Sequence, residues 1–282
     1  MLATEATDGH QLGSALAQRV SVVVSAVVAL LLLSPVLRVP EVVLPLQALG
    51  SPLRLGVSRE LTVVAAAALL MWVGTHAAFS LHPDYNSGSR IYTHRVLPTM
   101  TTIAAAIFWQ RQAAAAVESR LLVAAALALA LTFVLVGQYS TMSGDTPWLA
   151  RLRTAMGVVS LSTGLYLLII VYGTRGRSLV TATAVAAVGF CVALDVLQYE
   201  LVAEWRIVRA AAIAGLIAGE CSWALNYWRL DPLRAGFALL IVIYVYVGLM
   251  RRQLQGSLGR AAVVEHALMV VFLFVAMNRL GI

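Results

Sequence analysis

The chain has no lysine: all 20 of its basic residues are arginine. Retinal proteins and pyridoxal enzymes both need a lysine amine for their Schiff base, so both classes are excluded. A Walker A loop needs Gly-Lys-Ser/Thr to hold nucleotide phosphates, so the chain is not by itself an ATP-driven pump. Charge is scarce as well. Only 12% of the 282 residues are charged, where a soluble domain carries ~25%. Cysteine is almost missing: Cys191 and Cys221 stand alone inside apolar runs. They show no metal-ligand spacing and no CxxC, and read as small buried hydrophobes. The five histidines form neither HxxxH nor HExxH.

Apolar side chains are what the chain has in excess, at 61% of residues. That surplus needs an apolar solvent, and the bilayer is the only large one in a cell. An ordinary cytosolic enzyme, a disordered chain and a disulfide scaffold are thereby excluded. The net charge of +7 does not point to nucleic acid. The arginines sit singly or in pairs at the ends of apolar runs, as Arg175/Arg177 and Arg251/Arg252 do, where long basic side chains reach headgroups.

Backbone groups in lipid must bond internally, and the runs lack the alternation of a membrane barrel. The expected fold is therefore an all-α polytopic transmembrane bundle of about nine spans, each near the ~20 residues a bilayer requires. Residues 1–18 read as a polar, disordered N-terminal tail, and 19–282 as a single transmembrane domain. The first run, Val20–Leu37, is too long for a signal-peptide core and lacks a small-residue cleavage site, so it reads as a retained span. Residues 38–58, broken by Pro40, Pro45 and Pro52, are expected to lie in the interface or form a short hairpin. Eight more runs follow: Glu60–Leu81, Arg95–Ala115, Arg120–Tyr139, Leu152–Tyr172, Ser178–Tyr199, Ile207–Trp228, Leu233–Met250 and Ala261–Arg279. Arginines divide equally between the two sides, so the positive-inside rule is silent overall. The flanks of the first span, acidic before and basic after, place the N-terminus outside the cytoplasm. Trp109, Trp148, Trp205 and Trp228 fall near expected helix ends, as an aromatic belt would place them.

Ionisable groups inside a membrane are costly and mark candidate sites. One polar layer comprises His76, His94, Asp195, Glu265 and His266. Helix parity puts them on one membrane side, the deeper ones about 6–8 Å inside at 1.5 Å rise per residue. Such a layer can relay protons, hold a polar substrate or, with several imidazoles, bind a metal. Against that stands a hydrated helix-end layer of salt bridges. A second cluster lies on the seventh span. Ala211, Gly215 and Gly219 form a small-xxx-small stripe that lets a neighbouring backbone come close. Glu220, Trp223 and Tyr227 share one face at helical spacing, Asn226 lies beside them, and Arg209 points the same way three turns earlier. That face can carry a proton or bind a cationic or sugar-like group. The bland alternative pairs Glu220 with Arg229 or Arg234.

The run Gly-Glu-Cys-Ser-Trp-Ala-Leu-Asn-Tyr-Trp-Arg-Leu-Asp-Pro-Leu (219–233), followed by a helix ending Tyr244-Val-Tyr-Val-Gly-Leu, resembles a domain-of-unknown-function family of bacterial multi-pass membrane proteins. Tyr-Thr-His-Arg-Val-Leu-Pro (92–98) belongs to the same resemblance. It implies a bacterial cytoplasmic membrane and carries no mechanism; separately, no cofactor, metal or nucleic-acid partner is expected. The expectation is binding or translocation of a small or lipidic substrate through a polar intramembrane cluster. The alternatives are an accessory subunit of a membrane complex and an embedded enzyme acting on a lipid-linked substrate.

Overall fold

A computed structural model describes the chain apart from residues 1, 39, 41, 49–50, 83–84, 86–91, 113–115, 143–145, 175, 177, 201, 229 and 280–282. Among the described residues there are nine α-helices and one hairpin: α1 (Leu2–Leu33), β1 (Val42–Ala48), β2 (Ser51–Val57), α2 (Arg59–Phe79), α3 (Val96–Arg111), α4 (Val117–Ser140), α5 (Pro147–Gly173), α6 (Ser178–Leu197), α7 (Glu204–Tyr227), α8 (Pro232–Leu254) and α9 (Arg260–Arg279). A single 3-10 turn, Thr93–Arg95, precedes α3.

Among the described residues seven of these helices are long and apolar enough to cross a membrane: α1 from Gly13, α2, and α4 through α8. α3 has only 16 residues; its first turn is spent as 3-10 helix and Arg111 closes it. α9 offers a shorter apolar stretch, Val263–Phe272. The polar residues expected as a disordered tail continue α1 as helix from Leu2. The proline-broken segment folds as an antiparallel hairpin with Val42 opposite Val57 and Ala48 opposite Ser51. Both strands are edges, so Pro45 and Pro52 each need only one side free of ladder bonds. The protein is a multi-pass membrane protein built as a helical bundle.

Local signals set the helix ends. Ser58 caps α2, its Oγ accepting from the Leu61 N–H at 3.2 Å. Asp231 does the same for α8, taking the Arg234 N–H at 3.3 Å, with Pro232 in the first turn where its missing N–H costs nothing. α8 ends in a Schellman motif. Gly256 takes φ +69, its N–H reaches the Gln253 carbonyl, and Ser257 N–H reaches Arg252 at 2.9 Å.

The chain divides into two units: residues 1–87 with 98–143, and residues 88–97 with 144–282. In the first, α1 buries Val20, Val24, Val27 and Leu31 against Val63, Ala67 and Met71 of α2. These are i, i+4 stripes on each helix. A Cβ on Gly74 would stand 2.5 Å from Val23 Cγ2, so the glycine sets how closely α1 and α2 approach. Arg19 donates to the Ala77 carbonyl and to Ser80 Oγ at 3.2 Å, placing a cation on the negative end of α2.

In the second unit α6 and α7 pack most closely. A Cβ on Gly215 would lie 2.5 Å from the Ala186 carbonyl oxygen, and one on Gly219 3.0 Å from that of Ala182. Lipid is as apolar as leucine, so burial alone does not drive helices together in a bilayer. Close backbone approach and dispersion must do it, and small residues permit both. The small-residue stripe therefore serves helix docking. α5 and α8 run antiparallel, and Gly236 packs on Ile169 near one end of that pair. Outward faces stay apolar: Leu122, Leu129, Leu216 and Phe272 are all exposed, as side chains in lipid contact would be.

Candidate functional site

Where α5 and α8 part, a groove of about 500 Å³ opens in the second unit. Its floor is one stripe of α5: Arg153, Thr154, Gly157, Val158 and Leu161. These positions recur at helical spacing, so they run down a single face. At 1.5 Å per residue the stripe descends about 12 Å. It is charged at the mouth and apolar below. Tyr199 and Val196 of the α6 end form one wall, Tyr244 and Arg251 of α8 the other. Gly157 meets nothing within 4 Å of where a Cβ would stand. It keeps the groove open, whereas Gly236 draws the same two helices together at their other end.

The mouth is basic and organised. The Arg153 guanidinium lies 5.5 Å from the Tyr199 ring centroid, a cation–π contact. His94 packs edge-on against the same ring, centroids 6.2 Å apart. Arg251 Nε donates to Glu200 Oε1 at 2.5 Å, and Gln255 Nε2 donates to Oε2 at 3.0 Å. Glu200 is nearly enclosed while Arg251 stays half exposed (7% and 52% of the side chains). The carboxylate thus anchors a guanidinium whose other face is open to the groove.

Of the polar layer expected from the sequence, His76 belongs to the first unit and His94, Asp195, Glu265 and His266 to the second. In the first unit His76 Nδ1 lies 2.9 Å from the Tyr85 hydroxyl. In the second, buried Asp195 accepts from Gln198 Nε2 at 2.7 Å. Glu265 pairs with Arg252 at 2.8 Å on an exposed surface. His266 is packed against Gly248, where a Cβ would overlap its ring. Among the described residues no group of three or more His, Cys, Asp or Glu side chains could hold a metal ion.

The α7 cluster lies on the outward face. Glu220, Trp223, Asn226 and Tyr227 are all exposed, Tyr227 at 89%. Successive helical residues point 100° apart, so Gly219 meets α6 while Glu220 faces away. That separation explains a carboxylate next to a packing glycine. Trp223 Nε1 donates to the Ser178 carbonyl at 3.2 Å, and Arg209 stacks on Trp205 at 4.7 Å. Arg234 pairs with Asp231; Arg229, the other partner considered for Glu220, lies outside the described residues. Trp109, expected in the aromatic belt, is buried instead, under the Arg120 guanidinium.

Arg153, Tyr199, Glu200 and Arg251 escaped the sequence reading because each falls at or near a helix end, where arginine and tyrosine are ordinary interfacial residues, and Tyr244 stands mid-helix in α8 as one aromatic among apolar neighbours. Glu200 follows the last turn of α6, and only the turn that folds it back against α8 buries it. The lone Gly157 amid branched and long side chains was the available signal.

A family model described as a protein of unknown function matches residues 39–278. No curated protein and no solved structure matches the chain.

Proposed function

The chain belongs to the DUF5656 family, proteins of unknown function, and from that premise we propose that this member binds an amphiphilic anion, a lipid-like molecule with an acidic head, in the α5/α6/α8 groove. One observation carries the reading: a single open groove passes from two guanidinium groups, Arg153 and Arg251, to an apolar floor about Gly157 and Leu161. An acidic head fits the arginines, which bind carboxylate or phosphate in a fork geometry. Each methylene buried in the floor contributes about 0.8 kcal/mol. The polar cluster of the earlier expectation is thereby moved to the groove mouth. The setting is a bacterial cytoplasmic membrane with the N-terminus outside the cytoplasm, and the bilayer itself supplies the ligand.

The test is equilibrium binding of a pyrene-labelled fatty acid to the purified protein in detergent, with the matching pyrene alcohol as neutral control. The acid should bind more tightly. Arg153→Gln with Arg251→Gln should weaken it about 10–100-fold, since a charged hydrogen bond is worth about 1.5–3 kcal/mol, and should leave the alcohol unchanged. Equal binding of acid and alcohol by the native protein would refute the acidic head.

Glu200 sharpens the expectation. It occupies one face of Arg251 and repels any incoming anion. Glu200→Gln should therefore tighten fatty-acid binding by roughly 10-fold while lowering thermal stability, because an enclosed ion pair is broken. Weaker binding on this change would mean that Arg251 does not meet the head.

A second reading, an accessory subunit, is favoured by the outward α7 face, where Trp223, Tyr227 and Trp228 are exposed together. Recovery of a stoichiometric membrane partner that is lost on Tyr227→Ala would support it.

A further inference from the structure

We propose a second binding site, in the first unit, for the phosphate of an anionic phospholipid. It lies at the α1–α2 connection, independent of the groove. A cleft of about 740 Å³ there is lined by Arg38, Ser58, Arg59 and Glu60, with Pro35 and Leu37 beside them. A smaller cavity of about 70 Å³ adjoins it, sharing Arg59 and Glu60 and adding Trp109, Gln110 and Arg120.

Three features point to an oxyanion. Among the described lining side chains guanidinium groups outnumber carboxylates: Arg38, Arg59 and Arg120 stand against Glu60. Arg120 Nε is buried with no hydrogen-bond partner, although its guanidinium lies 5.0 Å from the Trp109 ring centroid. A buried guanidinium nitrogen without an acceptor is costly, and an anion in the small cavity would satisfy it. Finally, Ser58, Arg59 and Glu60 bring the N-terminus of α2, the positive end of a 21-residue helix, to the edge of the cleft. Arg59 Nη1 already spans the cleft edge to the Pro35 carbonyl at 3.4 Å. Gln110 Nε2, donating to the Glu60 carbonyl at 2.9 Å, ties α3 to the start of α2 and holds the small cavity in shape.

Position selects the source. The cleft sits where one candidate span ends at Leu33 and the next begins at Arg59. That is the depth of lipid headgroups, where a phosphodiester is always available. Free phosphate would offer the same oxygens without the tether.

The test embeds the full chain in nanodiscs of phosphatidylcholine doped with phosphatidylglycerol. Native mass spectrometry then counts the phosphatidylglycerol retained after transfer to detergent. Arg38→Gln with Arg59→Gln should remove one retained phosphatidylglycerol and weaken retention about 10-fold. The same loss should appear in a Gly157→Trp background, which separates this site from the groove. Arg111→Gln with Arg260→Gln removes equal charge from exposed positions outside the cleft and should change nothing. An equal loss in that control, or full retention in the first pair, would overturn the site. Displacement of the lipid by millimolar inorganic phosphate would overturn the lipid as occupant. Arg38 is exposed, so Arg38→Gln alone gives a folded variant, expected to show a partial loss.

Discussion

Gly157→Trp should abolish binding of the pyrene fatty acid, by about 100-fold or more, and leave the protein folded. The expectation rests on free space. No atom lies within 4 Å of the position a Cβ would take, so the indole enters the groove and not the packed interior. There it covers the apolar floor between Arg153 and Leu161, and each methylene kept out of that floor forfeits about 0.8 kcal/mol. Losing about four methylenes amounts to about 3 kcal/mol, which is the stated factor. Gly157→Ala adds one methyl and should bind within a few-fold of the native protein. Unchanged binding by Gly157→Trp would mean that the ligand lies elsewhere.

Gly215→Ala should unfold the protein at a markedly lower temperature, although the same substitution at Gly157 should be neutral or stabilising. Alanine is the better helix former by about 0.8–1 kcal/mol. At Gly157 nothing opposes that preference. At Gly215 the new methyl would stand 2.5 Å from the Ala186 carbonyl oxygen and 3.2 Å from the Phe190 nitrogen. Both are backbone atoms of α6, so relief requires moving the helix. Overpacking a close interface costs about 1–3 kcal/mol or more, so Tm should fall by roughly 5–10 °C. Melting in detergent, followed by loss of the monodisperse peak, reads both variants side by side. Equal shifts at the two glycines would show that α6 and α7 are not held by that contact.

Composition made the bundle legible. An apolar surplus without lysine, broken at arginines and prolines, has one physical solution, and the match to a family of unknown function over 39–278 includes the segment 219–233 that carried the resemblance. Span number was less legible, because hydropathy reads α3 as a full run while Arg111 stops the helix and a 3-10 turn shortens its start. The hairpin over 42–57 was one of two outcomes left open, since prolines exclude a helix without choosing its replacement. Sites were the least legible. Periodicity puts Glu220, Trp223 and Tyr227 on one face, but it cannot say whether that face meets protein or lipid. Small residues answered the point for Gly215 and Gly219, and by geometry sent Glu220 outward. The groove depends on how far α5 and α8 diverge beyond Gly236, a tertiary distance that no local pattern encodes.

Photolabelling tests the central claim most directly. A fatty acid carrying a diazirine in its chain is added to the native protein in membranes, irradiated, and its adducts mapped by peptide mass spectrometry. Adducts should concentrate in residues 154–161 of α5 and about Tyr244 of α8, and vanish from both in Gly157→Trp. Labelling spread evenly over outward residues such as Leu122, Leu129 and Leu216, and unaltered by that substitution, would contradict the account.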